Sequence, residues 1–186
     1  MGAEPARPRM TVDEFLIWAE TQPGRYELED GEVVRISAER TRHARTKSAA
    51  HNALAHAIRV SKLPCEALPD GMTVRIDDWT TFEPDAVVYC GPRIDGDAVE
   101  VPSPMIIVEV LSPGSRSLDL GSKLHRYWQV PSVQHVLLID PKPRLVIHHA
   151  RTGEASAAVR FLTEGVLRLD PPGLDVAVAD LLGNEA

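Results

Sequence analysis

The run Met105-Ile106-Ile107-Val108-Glu109-Val110-Leu111 places one carboxylate inside an otherwise apolar segment. Bounded by Pro104 and by Ser112-Pro113-Gly114, it reads as a strand buried on both faces, hence central in a sheet. Desolvating an unpaired carboxylate costs more than the packing of one strand can offset. Glu109 therefore needs a cation, a lysine or a proton. Pro84-Asp85 upstream offers a second carboxylate and Lys123 downstream an ammonium. That set favours a metal-centred hydrolytic site over a plain core.

The rest of the chain reads as helices and strands around this segment. Thr11-Val12-Asp13-Glu14 is a capping box, with Met10 and Phe15 placed for the hydrophobic staple. A helix to about Glu20 is expected, with Phe15, Leu16 and Trp18 or Ala19 inward, ended by Pro23-Gly24. Strand-like stretches over 25–29 and 32–36 flank Asp30-Gly31, a hairpin turn signal. Residues 42–60 read as a helix burying Ala50, Leu54, Ala57 and Ile58. His43 and Lys47 extend that stripe toward the helix start, where a core gives way to a cleft. A half-buried strand is expected after Pro69-Asp70-Gly71, and single strands over 82–89, 104–111, 133–139 and 145–149. A helix over 118–129 follows the central strand. Glu164-Gly165 suggests a hairpin of 159–162 with 166–169, and 174–182 caps the core.

With 186 residues, 44% of them hydrophobic, the chain can bury a full core. No repeat or low-complexity linker divides it, so one α/β domain is expected over residues 10–186, with residues 1–9 as a tail. The expected architecture is a mixed β-sheet flanked by helices, with an N-terminal helix and β-hairpin and the site at one sheet edge. No apolar stretch reaches the roughly 18 residues of a membrane span, and the first nine residues carry no secretory h-region. Cys65 and Cys90, too few for a disulfide scaffold, read as reduced thiols of a cytoplasmic protein. Trp18, Trp79 and Trp128 read as packing residues.

The net charge of −7 lacks the basic excess of a typical nucleic-acid binder. One local exception spans residues 35–62: Arg35, Arg40, Arg42, Arg45, Lys47, Arg59 and Lys62 stand against Glu39 alone. This segment either faces phosphates or is a solvated helix face.

The candidate constellation is Asp85, Glu109 and Lys123. If their strands are neighbours, the two carboxylates converge at one end of the sheet. Hard oxygen ligands suit Mg²⁺ or Mn²⁺, which bind through one or two carboxylates and keep several waters. An ammonium there orients water and balances charge building on a phosphate. The competing reading of Lys123 is a surface ion pair with Asp119, four residues earlier on its helix. Glu27, opposite to its apolar neighbours Tyr26 and Leu28, is either a further acidic ligand or a solvated strand residue. His43 is either a hydrogen-bonding partner for the site or structural.

Arg25-Tyr26-Glu27-Leu28-Glu29-Asp30-Gly31-Glu32, then Pro84-Asp85, then Val108-Glu109-Val110-Leu111-Ser112-Pro113, then Asp119 with Lys123 and Tyr127, resemble the Uma-type family of the PD-(D/E)XK, restriction-endonuclease-like superfamily. The resemblance covers roughly residues 10 to 170. It implies a Mg²⁺-dependent endonuclease acting on nucleic acid, DNA before RNA, with Asp85 and Glu109 as metal ligands. It departs at the lysine: a strict (D/E)-X-K places it at position 111, which is Leu111, so Lys123 would act from a migrated position. That departure and the acidic net charge support an alternative, a non-catalytic binding or assembly module on the same fold. Cutting both strands of a duplex suits two sites related by a two-fold axis, so a homodimer is expected.

Overall fold

The computed structural model describes residues 9–112, 119–154 and 156–183. Helix α1, Val12–Ala19, opens on the expected box: the Thr11 hydroxyl accepts from the Glu14 N–H, and Glu14 Oε2 accepts from the Thr11 N–H. Val12 and Phe15 are buried beneath it with Leu28, and Met10 closes the staple. Strands β1 (Tyr26–Glu29) and β2 (Glu32–Arg35) turn at Asp30-Gly31, both at positive φ as a type I′ turn demands. Helix α2, Thr41–Ser61, buries Ala50, Leu54, Ala57 and Ile58 as its spacing predicts.

The remaining elements are β3 (Cys65–Pro69), β4 (Val74–Asp77), β5 (Thr80–Phe82), β6 (Ala86–Cys90), β7 (Pro104–Val110), α3 (Asp119–Tyr127), β8 (His135–Asp140), β9 (Leu145–Gly153), β10 (Ser156–Leu162), β11 (Val166–Leu169), β12 (Leu174–Ala177) and α4 (Val178–Leu182). Six strands form the main sheet in the order β10-β9-β8-β7-β6-β3. Only β7 and β8 run parallel within it, and α3 lies between them in the chain, the crossover that a parallel pair requires. A second sheet, β2-β1-β5-β4, carries the hairpin, and β11-β12 form a separate pair.

Strand β7 is central, as its apolar run predicts, and its residues alternate between two cores. Ile106, Val108 and Val110 pack toward α2, α4 and the β11-β12 pair. Ile107 and Leu111 pack with Tyr127 and Leu124 of α3. Glu109 shares the parity of Ile107 and Leu111, and this sends its carboxylate to the α3 side.

Three expectations are corrected at the level of elements. The single strand over 82–89 is two strands in different sheets, because Glu83-Pro84-Asp85 interrupts it. Pro84 has no N–H to give a ladder, and it biases the residue before it toward extended backbone. The hairpin of 159–162 with 166–169 does not form. β10 pairs with β9, with Phe161 against Ile147, while β11 pairs with β12. Glu164-Gly165 turns the chain, but a turn signal does not say which strand each arm joins. The site also lies at the end of the central pair β6–β7 rather than at a sheet edge.

Cys65 and Cys90, expected as free thiols, are joined by a disulfide. They stand directly opposite on β3 and β6, a register that their spacing does not reveal. Trp18 and Trp128 pack as expected, but Trp79 is 46% exposed. Among the described residues no helix is long and apolar enough to cross a membrane.

Neighbouring strands β8 and β9 bury a histidine pair. His135 Nδ1 lies 2.9 Å from His148 Nε2, and His135 Nε2 lies 2.8 Å from the Pro171 carbonyl oxygen. The carbonyl takes the Nε2 proton of His135, so its Nδ1 accepts from His148. Burial, then the neighbouring His135, pushes His148 down to about 4, and burial lowers His135 as well. Both groups are lowered from about 6.5, so the fold prefers them neutral. Their contribution is complete above about pH 6.5 and is lost as pH falls from there toward 4. Urea melts at pH 7 and 4.5 should show His148→Gln losing about 2 kcal/mol less stability than the parent on acidification. Equal losses in the two proteins would contradict the assignment.

Candidate active site

The cleft opens where β7 ends and holds about 570 Å³. Asp85 enters it from the segment that crosses from one sheet to the other. Its backbone N–H donates to the Val108 carbonyl at 2.9 Å, and its Oδ2 accepts from the Val110 N–H at 2.6 Å. The carboxylate is thereby held on the β7 backbone, one residue from Glu109.

Glu109 is met from α3. Lys123 and Tyr127 lie four residues apart and share one helix face. The Tyr127 hydroxyl donates to Glu109 Oε1 at 2.6 Å, and Lys123 Nζ stands 3.9 Å from the same oxygen. Lys123 also donates to Glu27 Oε1 at 2.7 Å, where the Glu83 N–H donates at 2.9 Å. Glu27 is buried, so the solvated reading of this residue fails. Lys123 is tied to β1 and β7 rather than held in a surface pair. The side chain of Asp119 lies outside the described residues.

A second ammonium comes from α2. Lys47 is buried and donates to Glu39 and to Asp70 Oδ2 at 2.7 Å, and its Nζ is ion-paired with Asp85 Oδ1 at 3.2 Å. Arg25 links Asp70 at 2.5 Å to Glu83 at 2.6 Å. His43, one turn before Lys47, places Nε2 at 2.7 Å from the Val110 carbonyl oxygen and at 3.6 Å from Asp85 Oδ2. Its Nδ1 lies 3.2 Å from Glu39 Oε2.

The electrostatics follow from this crowding. Burial pushes Glu109 up to about 7. Lys123 pulls the other way, and the charges of Asp85 and Glu27 add to the rise. Burial alone would lower Lys123, but Glu109 and Glu27 outweigh it and hold the ammonium charged. Lys47 is likewise raised: burial opposes, and its bonds to Asp70 and Glu39 prevail. Burial, with the charges of Glu109 and Glu27, raises the Tyr127 phenol well above its ordinary value, so it stays a neutral donor.

Six carboxylates (Glu27, Glu39, Asp70, Glu83, Asp85, Glu109) thus surround three permanent cations, Arg25, Lys47 and Lys123. On this floor the excess is negative and partly desolvated, which is what a hard divalent cation relieves, while Arg40, Arg42 and Lys142 line the same cleft. Glu39, His43 and Asp85 each present one ligand atom, all within 4.8 Å of one another. Donor set and charge therefore fit such an ion.

All five residues singled out in the sequence, Glu27, His43, Asp85, Glu109 and Lys123, line this one cleft. Glu39, Asp70, Glu83 and Arg25 were missed as site residues. Lys47 showed one signal, its place on the His43 stripe. Asp70 lay hidden in a turn motif, Arg25 heads the segment that carries the family resemblance without being singled out, and Glu83 has no local mark.

A family profile, Uma2, described as "Putative restriction endonuclease", matches residues 12–179. The uncharacterized protein slr1290 of Synechocystis sp. is 25% identical over 181 residues, covering 92% of this chain and 90% of its own. A crystal structure from Anabaena variabilis, described as a putative nuclease belonging to DUF820, superposes with a TM-score of 0.70. It covers 93% of this chain and 97% of its own at 19% identity, which speaks for a shared fold.

Proposed function

This chain belongs to the Uma2 family, and from that premise we propose a Mg²⁺- or Mn²⁺-dependent endonuclease hydrolysing nucleic-acid phosphodiester bonds, DNA foremost. One observation carries the reading: Asp85, just before β6, and Glu109, on its partner strand β7, line one cleft together with Lys123, which stands 3.9 Å from Glu109. Asp85 and Glu109 would hold the ion, with Glu39 and His43 in reach of the Asp85 side. Bound there, the ion would polarise a phosphoryl oxygen and acidify a water.

The protein's own groups do the positioning. The Val110 N–H holds one oxygen of Asp85 and the Tyr127 hydroxyl one oxygen of Glu109, while Lys47 stands 3.2 Å from the other Asp85 oxygen. Lys123, held charged, orients water beside the reacting phosphate and balances the charge developing on it. Glu27 fixes the ammonium in place. His43, anchored through Nε2 to the Val110 carbonyl, holds Nδ1 against Glu39 beside Asp85. An ammonium presented from the helix after the acidic strand replaces one presented two residues after Glu109, where Leu111 is packed in the core.

The direct test is supercoiled plasmid with Mg²⁺ or Mn²⁺. The parent protein should nick it, and Asp85→Ala should lose at least about 10²-fold in rate. Nicking by neither protein, together with retained nucleic-acid binding, would favour the binding module. Equal nicking by both would remove Asp85 from the site.

A further inference from the structure

The basic run over residues 35–62 does two different jobs, and the structure separates them. Lys47 turns inward and is consumed by Glu39, Asp70 and Asp85. Arg40 and Arg42, at the start of α2, are exposed and line the cleft. Lys142, in the turn between β8 and β9, is exposed and lines the same cleft from a separate element. Among the described residues, the side-chain cations of these three make no ion pair, although the Lys142 backbone N–H donates to Asp140 Oδ1 at 3.2 Å, whereas Arg25, Lys47 and Lys123 on the floor are each shared between carboxylates.

The distinction decides what can recruit a polyanion. A cation already paired with two or three carboxylates offers no net field to an incoming phosphate, and the floor as a whole is negative. An exposed cation without a partner releases a counterion when a phosphate arrives, and this release drives nucleic-acid binding. We propose that Arg40, Arg42 and Lys142 form the phosphate-gripping rim of the cleft, holding the phosphodiester backbone on either side of the bond presented to Asp85 and Glu109. This rests on the nuclease reading for the identity of the polyanion. It also explains how an acidic chain can hold an acidic substrate: three rim cations act locally, and charges farther than a Debye length of about 8 Å are largely screened. Arg59 shares the basic run but sits in the last turn of α2, far along a 21-residue helix from the cleft.

The test is the salt dependence of binding, read by fluorescence anisotropy with labelled 20-mers of duplex DNA and single-stranded RNA in Ca²⁺. Each neutralised contact should flatten the log–log slope by about 0.9 for duplex DNA and about 0.7 for a single strand. The triple variant Arg40→Gln/Arg42→Gln/Lys142→Gln should therefore flatten it by about 2 to 3, and Arg59→Gln should leave it unchanged. All four positions are exposed, and thermal melts confirm that each variant folds. The probe that the parent binds more tightly at matched salt identifies the substrate class. A slope unchanged in the triple variant, or a parent that binds neither probe, overturns the rim. Plasmid nicking is scored separately. Binding with the expected slopes but no cutting removes the hydrolysis and keeps the rim, whereas cutting with an unchanged slope removes the rim alone.

Discussion

Glu109→Gln should sharply reduce nicking and, in the metal-free protein, raise stability at pH 8. The two effects share one cause. The Glu109 carboxyl is pushed up to about 7 by burial and by its acidic neighbours, against the pull of Lys123. An acid whose folded value lies above its ordinary 4.5 favours the neutral form in the fold. Below pH 4.5 it therefore costs nothing, and stability is lost as pH rises from there through about 7. Glutamine keeps the acceptor for Tyr127 and removes the charge. The gain should be about 1–3 kcal/mol at pH 8 and should vanish near pH 4. Urea melts in EDTA at the two pH values measure it, and a variant no more stable at pH 8 would show that Glu109 is already well compensated. Activity should fall about 10³-fold, because an amide oxygen is a poorer ligand for a hard cation than a carboxylate. Stability rising while activity falls is the signature of a residue kept for chemistry.

Lys123→Met should lose activity by about 10²–10³-fold and destabilise the protein by about 3 kcal/mol at pH 8. The ammonium lies between Glu27 and Glu109, and removing it leaves two mostly buried carboxylates facing each other without a cation. Part of that loss should be recovered in Glu27→Gln/Lys123→Met, since one repelling charge is then gone, while activity stays low. If Lys123 were the ammonium of a surface pair, the single variant would cost a few tenths of a kcal/mol and the double variant would recover nothing. Lys47→Met offers the contrast. Its ammonium holds Glu39, Asp70 and Asp85, so its removal should also destabilise the fold. A variant at position 47 that folds, binds Mg²⁺ and nicks would leave Lys123 as the ammonium for the water.

Much of this arrangement could be read before any coordinates. The capping box, the Asp30-Gly31 turn and the α2 stripe are local patterns, and local backbone geometry obeys them. Glu109 was legible for the opposite reason, since it broke the pattern around it. A charge inside an apolar run is visible in one dimension because its cost is local. His43 and Glu27 were visible more weakly, through the face each had to occupy. Lys123 is engaged by Glu27 and Glu109, while the side chain of Asp119, its other candidate partner, lies outside the described residues.

What escaped was partnership across distance. Cys65 meets Cys90 because two strands fall into one register, and β10 joins β9 although the chain turns again just after it. Lys47 reaches Asp70 and Asp85, and Lys123 reaches Glu27 across 96 positions. The amino-acid sequence by itself determined the elements, the central strand and the carboxylates that needed a partner, because propensity and burial act over a few residues. Only the tertiary structure decided which cation answers which acid, and which arginines make no ion pair among the described residues. Those choices depend on distances of a few ångströms between segments that the chain order leaves far apart.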